Sequence, residues 1–371
     1  MCPTQIRDSK MKRIVLWVVS LVLVSANVFA DGLTATLQQG ERMTPFYGVD
    51  AFKQAYAAAD SGAVITLSAG TFNNVDTIAK SIKVIGNYAF NASSPENTNL
   101  TRAIIAANKV TIDGIYFSGS VTLGNIEDCK IVHSWIENTL AYSSTSAWHT
   151  NTIVDQCVIK TETAIKQGRN YTIKNSTINK FDANNTSANI AYITNCVIYD
   201  FVYNHTKPSS NVKGIDIYPS IPVAIYKNNV LGIDVSCYYH CYSTSTGYSH
   251  YYYNVCFSSP SEFYYNKYAM TYYMYTTGSY YYTYDGSKVY YTSGCQNAGN
   301  TKEKRGFVVS GTQYPAVLTN PGYGQDGTLR GPQGGTGFSP YPSIPRVTSK
   351  TIDSNTDADG KLNVKITVKA Q

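Results

Sequence analysis

Residues 193–198 read Ile-Thr-Asn-Cys-Val-Ile, and a related pattern recurs along the chain. Each copy begins and ends with an apolar residue, and a small or apolar residue stands fourth. The third residue is Gly, Asn or Asp in six of eight copies, as expected where the backbone must enter the left-handed region. The copies are residues 84–89, 112–117, 126–131, 154–159, 173–178, 193–198 and 225–230, with a weaker one at 252–257.

A unit this short cannot bury its apolar face alone, so the copies must stack on one another. Successive copies start between 14 and 32 residues apart. Such variable spacing favours a parallel β-helix with loops inserted between its strands, and it argues against leucine-rich or helical repeats. The interval of 14 residues, between the copies at 112 and 126, is short for a full coil.

Other elements flank the repeats. Phe52, Ala55, Tyr56 and Ala59 have helical spacing, which predicts a short amphipathic helix that caps the open end of the stack. Residues 321–345 are rich in Gly and Pro, and we expect them to cross or cover the last coil without regular structure. Alternating apolar residues at the C-terminus predict a β-hairpin tail; they are Leu362, Val364, Ile366 and Val368.

The N-terminus predicts export. After an upstream extension of ten residues, Met11 opens a basic and then apolar segment that ends in small residues at Ala30. The apolar run is too short for a transmembrane segment. We therefore expect a cleaved signal peptide in residues 1–30 and Sec-dependent secretion to the periplasm, the cell surface or the medium. A β-helix over residues 31–320 and a connector with a hairpin tail over residues 321–371 would follow.

Charge gives no indication of a nucleic-acid partner. The whole chain carries a net charge of +6, and residues 1–30 contribute +3 of it, from four basic residues and one acidic residue. The remaining +3 is spread along the chain without a Lys/Arg cluster. The sequence does not define an oligomeric state.

One stretch is similar to a known family. Residues 51–86 contain Ala51-Phe52, the run Gly62-Ala-Val-Ile-Thr-Leu67, Gly70-Thr-Phe72 and Ile82-Lys-Val-Ile-Gly86. They resemble the opening of uncharacterised secreted right-handed parallel β-helix proteins of the pectin-lyase-like superfamily. The resemblance implies an all-β, right-handed parallel β-helix over roughly residues 45–335. It implies no single activity, because that superfamily includes lyases, hydrolases, esterases, adhesins and scaffolds.

Acidic residues supply one candidate site. In the predicted register Asp113, Glu127, Asp155 and then Lys174 point outward from consecutive coils. Three carboxylates at coil spacing could hold Ca²⁺, and Lys174 could act as the base of a β-elimination on a uronic-acid sugar. The alternative is that these are ordinary charges on a solvated sheet. The motifs of polygalacturonases and pectate lyases are absent from the chain.

The cysteines form two groups. Cys129, Cys157 and Cys196 occupy one repeat position, which Ser176 and Asn228 also fill, and we expect small buried side chains there. A Cys129–Cys157 disulfide would suit parallel in-register side chains poorly. In the second group disulfides are favoured over a zinc site with the nearby His240 and His250; its members are Cys237, Cys241, Cys256 and Cys295.

Tyrosine is concentrated in residues 237–291, which hold nineteen of the 33 tyrosines. An exposed row of tyrosine rings could bind sugar rings, whereas the alternative is that tyrosine simply suits strands. The glycan-binding candidates are Tyr251, Tyr252, Tyr253, Tyr280 and Tyr282.

These observations favour a secreted or cell-surface, non-catalytic β-helix protein that binds glycan or another surface component and needs no cofactor. The alternative is a Ca²⁺-dependent polysaccharide lyase that acts on a uronic-acid-containing polymer, with Lys174 as the candidate catalytic residue. A purely structural, self-associating solenoid is the third interpretation.

Overall fold

The computed structural model describes most of the chain after the predicted signal peptide, which lies outside the described residues. The described segments are residues 32–90, 93–142, 149–164, 168–182, 191–201, 224–238, 255–257, 262–275, 281–285, 289–291, 296–303, 321–342, 344–356 and 361–369.

The fold is an all-β solenoid of parallel stacked coils, as the repeats predict. Its first sheet has twelve described strands, and neighbours are parallel except near the N-terminal edge, where Thr34–Gln39 is antiparallel to both Arg42–Tyr47 and Val64–Leu67. In spatial order these strands are Arg42–Tyr47, Thr34–Gln39, Val64–Leu67, Lys83–Ile85, Thr111–Asp113, Lys130–Val132, Ile153–Asp155, Tyr171–Lys174, Ala191–Thr194, Ala224–Lys227, Glu262–Tyr264 and Gln296–Ala298.

A second sheet of sixteen strands provides the other faces of the coils. One stack of it consists of Gly70–Thr71, Thr98–Leu100, Tyr116–Phe117, Trp135–Ile136, Val158–Ile159, Thr177–Asp182, Val197–Phe201, Val230–Tyr238, Lys267–Tyr275 and Thr301–Glu303, with Tyr281–Asp285 antiparallel to Lys267–Tyr275. A second stack joins it at Thr177–Asp182 and consists of Thr77–Ile78, Ala103–Ile105, Val121–Leu123, Thr139–Tyr142 and Glu162–Ala164.

Smaller elements complete the described chain. Ile126–Glu127, His149–Thr150 and Gly168–Arg169 form a short parallel sheet, and Val255–Phe257 pairs with Val289–Tyr291. The predicted tail is confirmed as an antiparallel hairpin of Arg346–Thr356 and Leu362–Lys369. The predicted helix is confirmed at Ala51–Ala58, and it packs on the first strands of the chain through buried residues that include Phe52 and Ala55.

One interior column holds the first sheet in register. Each member pairs with its equivalent in the next coil, and every member has 0% of its surface exposed. The column consists of Val84, Ile112, Ile131, Val154, Ile173 and Ile193, and Tyr226 and Phe263 continue it. Burying a side chain of this size contributes about 1.5–3 kcal/mol, so the column accounts for much of the stability of the stack.

The predicted register is wrong at the copy that begins with Ile126. Ile131, not Ile126, pairs with Ile112 and with Val154, so the intervals of 14 and 28 residues become 19 and 23. Ile126 instead pairs with His149 in the short parallel sheet. The copy at 225–230 is displaced by one residue, because Tyr226 rather than Ile225 occupies the column.

Residues with left-handed backbone mark two corners of the described coils. At the first corner the residues with positive φ are Lys109, Asp128, Asn151 and Asn170, and all four are exposed. At the second corner, directly after the first-sheet strand, they are Gly114, His133, Gln156, Asn175, Asn195, Asn228, Tyr265 and Gly299. Asp128 has the left-handed conformation that its repeat position predicts. It lies at the first corner, however, and not at the second.

A ladder of polar side chains stacks inside the coils, one residue after the second corner. Its serine and asparagine members accept a hydrogen bond from the backbone N–H of the equivalent residue in the preceding coil, as Ser176 Oγ does from Cys157 N at 3.0 Å. Asn229 and Asn266 accept in the same way from Cys196 N and Asn229 N, at 2.8 and 3.0 Å. The ladder consists of Ser134, Cys157, Ser176, Cys196, Asn229, Asn266 and Asn300.

The predicted cysteine column is therefore correct for Cys157 and Cys196 and wrong for Cys129 and Asn228. The register places Cys129 opposite Thr152, in a different column, and Asn228 lies at the second corner while Asn229 takes the ladder position. All three cysteines are buried and free, so the Cys129–Cys157 disulfide is excluded. Burial raises the pKa of the Cys196 thiol to about 12, which keeps it protonated and unreactive at neutral pH.

A substitution at Asn266 tests whether the ladder stabilises the fold. Its Oδ1 accepts from the backbone N–H and the amide of Asn229, and its Nδ2 donates to Tyr226 O at 2.9 Å. Asn266→Ala leaves these buried groups unpaired, so we expect it to lower the free energy of unfolding by at least about 2 kcal/mol. Thermal unfolding followed by circular dichroism measures the loss. Asn99→Ala, at a solvent-exposed hydrogen bond of the second sheet, is the control and should change stability little; equal effects would contradict a stabilising ladder.

Candidate functional site

The predicted acidic row is only partly assembled. Asp113, Val132, Asp155 and Lys174 occupy one column on the outer side of the first sheet, so a valine separates the two carboxylates. Glu127 does not belong to this row, because it lies in the short parallel sheet opposite Thr150 and is exposed. The predicted row is wrong in this respect.

Each carboxylate of the column has its own cation. Asp113 Oδ1 lies 2.8 Å from His133 Nδ1, and Asp113 Oδ2 lies 3.9 Å from Lys83 Nζ. Asp155 Oδ2 lies 3.1 Å from Lys174 Nζ. Asp113 is buried rather than facing water. Within the described segments no group of three or more His, Cys, Asp or Glu side chains is arranged to hold a metal ion. The predicted Ca²⁺ ligands are thus not brought together.

The Gly/Pro-rich segment covers one corner of the solenoid lengthwise. We call residues 321–342 the strap. Gln325 contacts Asn228, Leu329 contacts Asn195, and Ser339 contacts Gln156. Pro342 reaches Gly114. The prediction that this segment crosses or covers the last coil is too narrow, since the strap contacts the last described coil through Arg330 and also runs back along the second corner over several coils.

Side-chain amides of the second corner hold the strap backbone. Asn175 Nδ2 donates to the carbonyl oxygens of Pro332 at 3.0 Å and Gly334 at 2.5 Å, and Thr336 Oγ1 donates to Asn175 Oδ1 at 3.0 Å. Asn228 Oδ1 accepts from Gln325 N at 2.9 Å. Gln156 Oε1 accepts from Ser339 N. As a result Asn175, Asn195 and Asn228 are 2, 7 and 3% exposed, although the asparagines of the first corner face solvent.

Glycines allow this close approach. A Cβ on Gly334 would meet Leu329 O and the Asn195 amide, and a Cβ on Gly324 would meet the Asn228 amide. Arg330 adds two contacts near the last described coil, from its guanidinium to Gly299 O at 3.2 Å and to Thr301 Oγ1 at 3.4 Å. The strap thus fits the second corner through backbone contacts that few other residue types would permit.

An aromatic cluster lies on the outer side of the second sheet, where the strap ends. We call it the outer aromatic cluster. Phe90 and Trp135 are its buried centre, and Phe90 packs edge to face with Phe338 of the strap at 4.9 Å between ring centroids. Tyr116 stacks on Trp135 at 6.1 Å, and Tyr88 contacts Tyr341 of the strap at 5.1 Å. The four peripheral rings are partly exposed; they are Tyr88, Tyr116, Phe338 and Tyr341.

Charged side chains border this cluster. Glu137 Oε2 accepts from Trp135 Nε1 at 2.6 Å and from the Tyr116 hydroxyl at 3.2 Å, and Glu137 Oε1 pairs with Lys160 Nζ. The Lys160 ammonium also lies 5.8 Å from the centre of the Trp135 ring. The second-sheet register explains the arrangement, because Tyr116 pairs with Trp135, and Lys160 follows the strand that pairs with Trp135–Ile136.

Electrostatics couple these groups. Burial raises the pKa of Tyr116 to about 12, helped by the charge of Glu137 and the hydrogen bond to it. Burial also tends to raise the pKa of Glu137, but hydrogen bonds from Lys160 and Trp135 outweigh it, so the pKa of this carboxyl is lowered overall. The site at neutral pH therefore holds an ionised carboxylate, an ammonium group and neutral aromatic rings.

Little in the sequence points to these residues. Trp135 and Glu137 alternate with the buried Ile136, which indicates an outer face, but only the coil register brings Tyr116 and Lys160 beside them. The strap residues Phe338 and Tyr341 lie far away in the chain, in a segment without periodicity.

The tyrosine candidates are mostly beyond the described chain. Tyr251, Tyr252, Tyr253 and Tyr280 lie outside the described residues, as do Cys241, Cys295, His240 and His250. Cys237 lies in Val230–Tyr238 and Cys256 lies in Val255–Phe257. Tyr282 lies in Tyr281–Asp285, where it pairs with Met274, itself the partner of Cys237. Tyr281 pairs with Tyr275, which in turn pairs with Tyr238.

Comparisons of the chain with protein-family models, with curated proteins and with solved structures find no match. In the part of the chain that the structure describes, no helix is long and apolar enough to cross a membrane. The fold therefore defines the class of protein, a parallel β-solenoid, and the function must be argued from the sites themselves.

A substitution at Asn175 tests whether the corner amides hold the strap. Asn175→Ala removes three hydrogen bonds to strap residues, so we expect amide hydrogen exchange across residues 329–337 to accelerate at least tenfold while the coil strands stay protected. Asn170→Ala is a matched control, because Asn170 has the same left-handed conformation in the same coil but is exposed at the first corner. If both variants exchanged alike, the amide contacts would not hold the strap.

The lowered pKa of Glu137 predicts that the stability of the fold depends on pH. Because the pKa of Glu137 is lowered in the fold, its contribution to stability is present above its ordinary pKa of 4.5 and is lost as the pH falls further. Glu137→Gln should lower the free energy of unfolding by about 1–2 kcal/mol at pH 7. This difference should shrink steadily below about pH 4.5 in thermal unfolding curves. The exposed Glu41, changed to Gln, should show no such trend, and a constant difference for Glu137→Gln would refute the ion-pair explanation.

Proposed function

We propose that this chain is a secreted or cell-surface β-helix protein that binds glycan without cleaving it. The outer aromatic cluster is the observation that carries the proposal, because partly exposed rings and an ion pair lie together on a regular outer face. The right-handed β-helix of the pectin-lyase-like superfamily, with a capping N-terminal helix, is the fold class assigned with it. The resemblance of residues 51–86 supports that assignment.

The chemistry of the cluster suits a sugar. A pyranose ring has an apolar C–H face that packs on an aromatic ring and a rim of hydroxyls that need hydrogen-bonding partners. Tyr116 and Tyr88 offer partly exposed rings, and the half-exposed Lys160 offers N–H donors beyond the one directed at Glu137. The Glu137 hydrogen bonds fix Trp135 and Tyr116 before a ligand arrives, which reduces the entropy lost on binding.

The alternative of a Ca²⁺-dependent lyase has weaker support. It requires carboxylates that share a metal ion beside a free base, whereas Asp113 and Asp155 are separated by Val132 and a lysine ammonium lies near each of them. Lys174, the candidate base, is engaged by Asp155. No described feature favours catalysis over binding.

Affinity gel electrophoresis tests the proposal with a panel of neutral and uronic-acid-containing polysaccharides, each with and without Ca²⁺. We expect at least one polymer to retard the protein, and Tyr116→Ala to weaken that binding about tenfold, as the loss of about 1.4 kcal/mol of stacking would. Tyr192→Ala is the control, since Tyr192 is an exposed tyrosine of the first sheet.

Three results would count against the proposal. The first is that no polymer retards the protein, and the second is that Tyr116→Ala and Tyr192→Ala lose binding equally. The third is the release of new unsaturated sugar ends that disappears in Asp155→Ala, which would establish the lyase alternative.

A further inference from the structure

The contacts between the second corner and the strap resemble those between a protein and a bound peptide. Amide side chains from successive coils contact strap main-chain groups, with Asn175 donating to two carbonyls and Asn228 and Gln156 accepting from N–H groups. Asn195 Nδ2 adds a donor to Leu329 O at 3.4 Å. These side chains thus satisfy N–H and C=O groups of the strap at intervals along the corner.

The solenoid does not need this cover to turn its corner. The first corner closes with the same left-handed conformation at Asn151 and Asn170 and remains exposed. There the corner side chains bond to each other instead, from the Asn170 amide to Asn151 Oδ1 at 3.3 Å and from the Asn151 amide to the Asp128 carboxylate at 3.0 Å. The two corners differ in that one lies against a second segment of chain, so its amides serve recognition rather than coil closure.

The close contacts also restrict which segment of chain can bind at the second corner. Gly334 and Gly324 lie where a side chain would strike Asn195 and Asn228, and their positions in the sequence are ten residues apart. Phe338 anchors one end against Phe90, and Arg330 anchors the other against Gly299 O. An occupant must therefore follow the turns of the strap, carry glycine at both close approaches and offer these two anchors.

We propose that the second corner is a peptide-binding groove that accepts residues 322–342 from a second copy of this chain as well as from its own. The strap itself has the sequence that the groove requires. A second copy of the chain carries the same strap and is therefore a partner that the groove can bind. Seventeen residues of sequence, 304–320, separate the strap from Thr301–Glu303, the last described strand of the coils. An exchange of straps makes all the same contacts in trans, so it links two copies at little cost in contact energy.

The test uses the complete chain with a specific protease site introduced within residues 306–316. After cleavage we expect the C-terminal fragment to co-elute with the solenoid in size-exclusion chromatography. A fluorescent synthetic peptide of residues 321–342, added in excess, should then replace the strap. Asn175→Ala should speed the release of the fragment at least tenfold, whereas Asn170→Ala should leave the rate unchanged.

A second measurement addresses the uncut protein. Two full-length copies with different affinity tags are incubated together, and we expect one tag to recover the other in an amount that free peptide reduces. The proposal is overturned if the cut fragment dissociates immediately and the remaining solenoid keeps its circular dichroism spectrum. It is also overturned if the peptide never replaces the strap, if Asn170→Ala acts like Asn175→Ala, or if the tagged copies stay separate.

Discussion

Parallel hydrogen bonding between successive coils is the interaction on which the rest of the structure depends. It sets each position directly against its equivalent one coil away, as Val154 stands against Ile131 and Ile173. Apolar residues can stack at such a position indefinitely, but a polar residue must both accept and donate along the same line. The ladder meets this requirement, since Asn229 accepts from Cys196 N and donates to Ile193 O. The choice of Ser, Cys and Asn there follows from that geometry.

Local periodicity was enough to predict the parallel solenoid, the short helix and the hairpin. The repeat pattern failed at Ile126 for a physical reason. The described coils have left-handed residues at two corners, and an apolar residue two positions before a left-handed Asp or Asn occurs at both, as before Asp128 and Asn195. Their local signatures are the same, so the sequence could not assign a copy to its corner. The errors at Glu127 and Cys129 both follow from that single displacement.

The strap and the outer aromatic cluster could not be predicted because they depend on contacts between distant parts of the chain. Asn175 meets Gly334 across 159 residues of sequence, and nothing in the composition of residues 321–342 states which face they cover. Gly and Pro correctly indicated a segment without regular secondary structure. The close backbone approach that makes glycine necessary at position 334 is visible only once the corner beneath it is known.

The two outer features are physically continuous. The strap supplies Phe338 and Tyr341 to the cluster, while its preceding residues are held by the corner asparagines. A segment that is seated by backbone hydrogen bonds therefore positions rings beside Tyr88 and Phe90, and through Phe90 it also supports Trp135. The interior of the coils is filled by apolar columns and the ladder. The proposed recognition therefore uses the outer faces, at the place where strap and sheet meet.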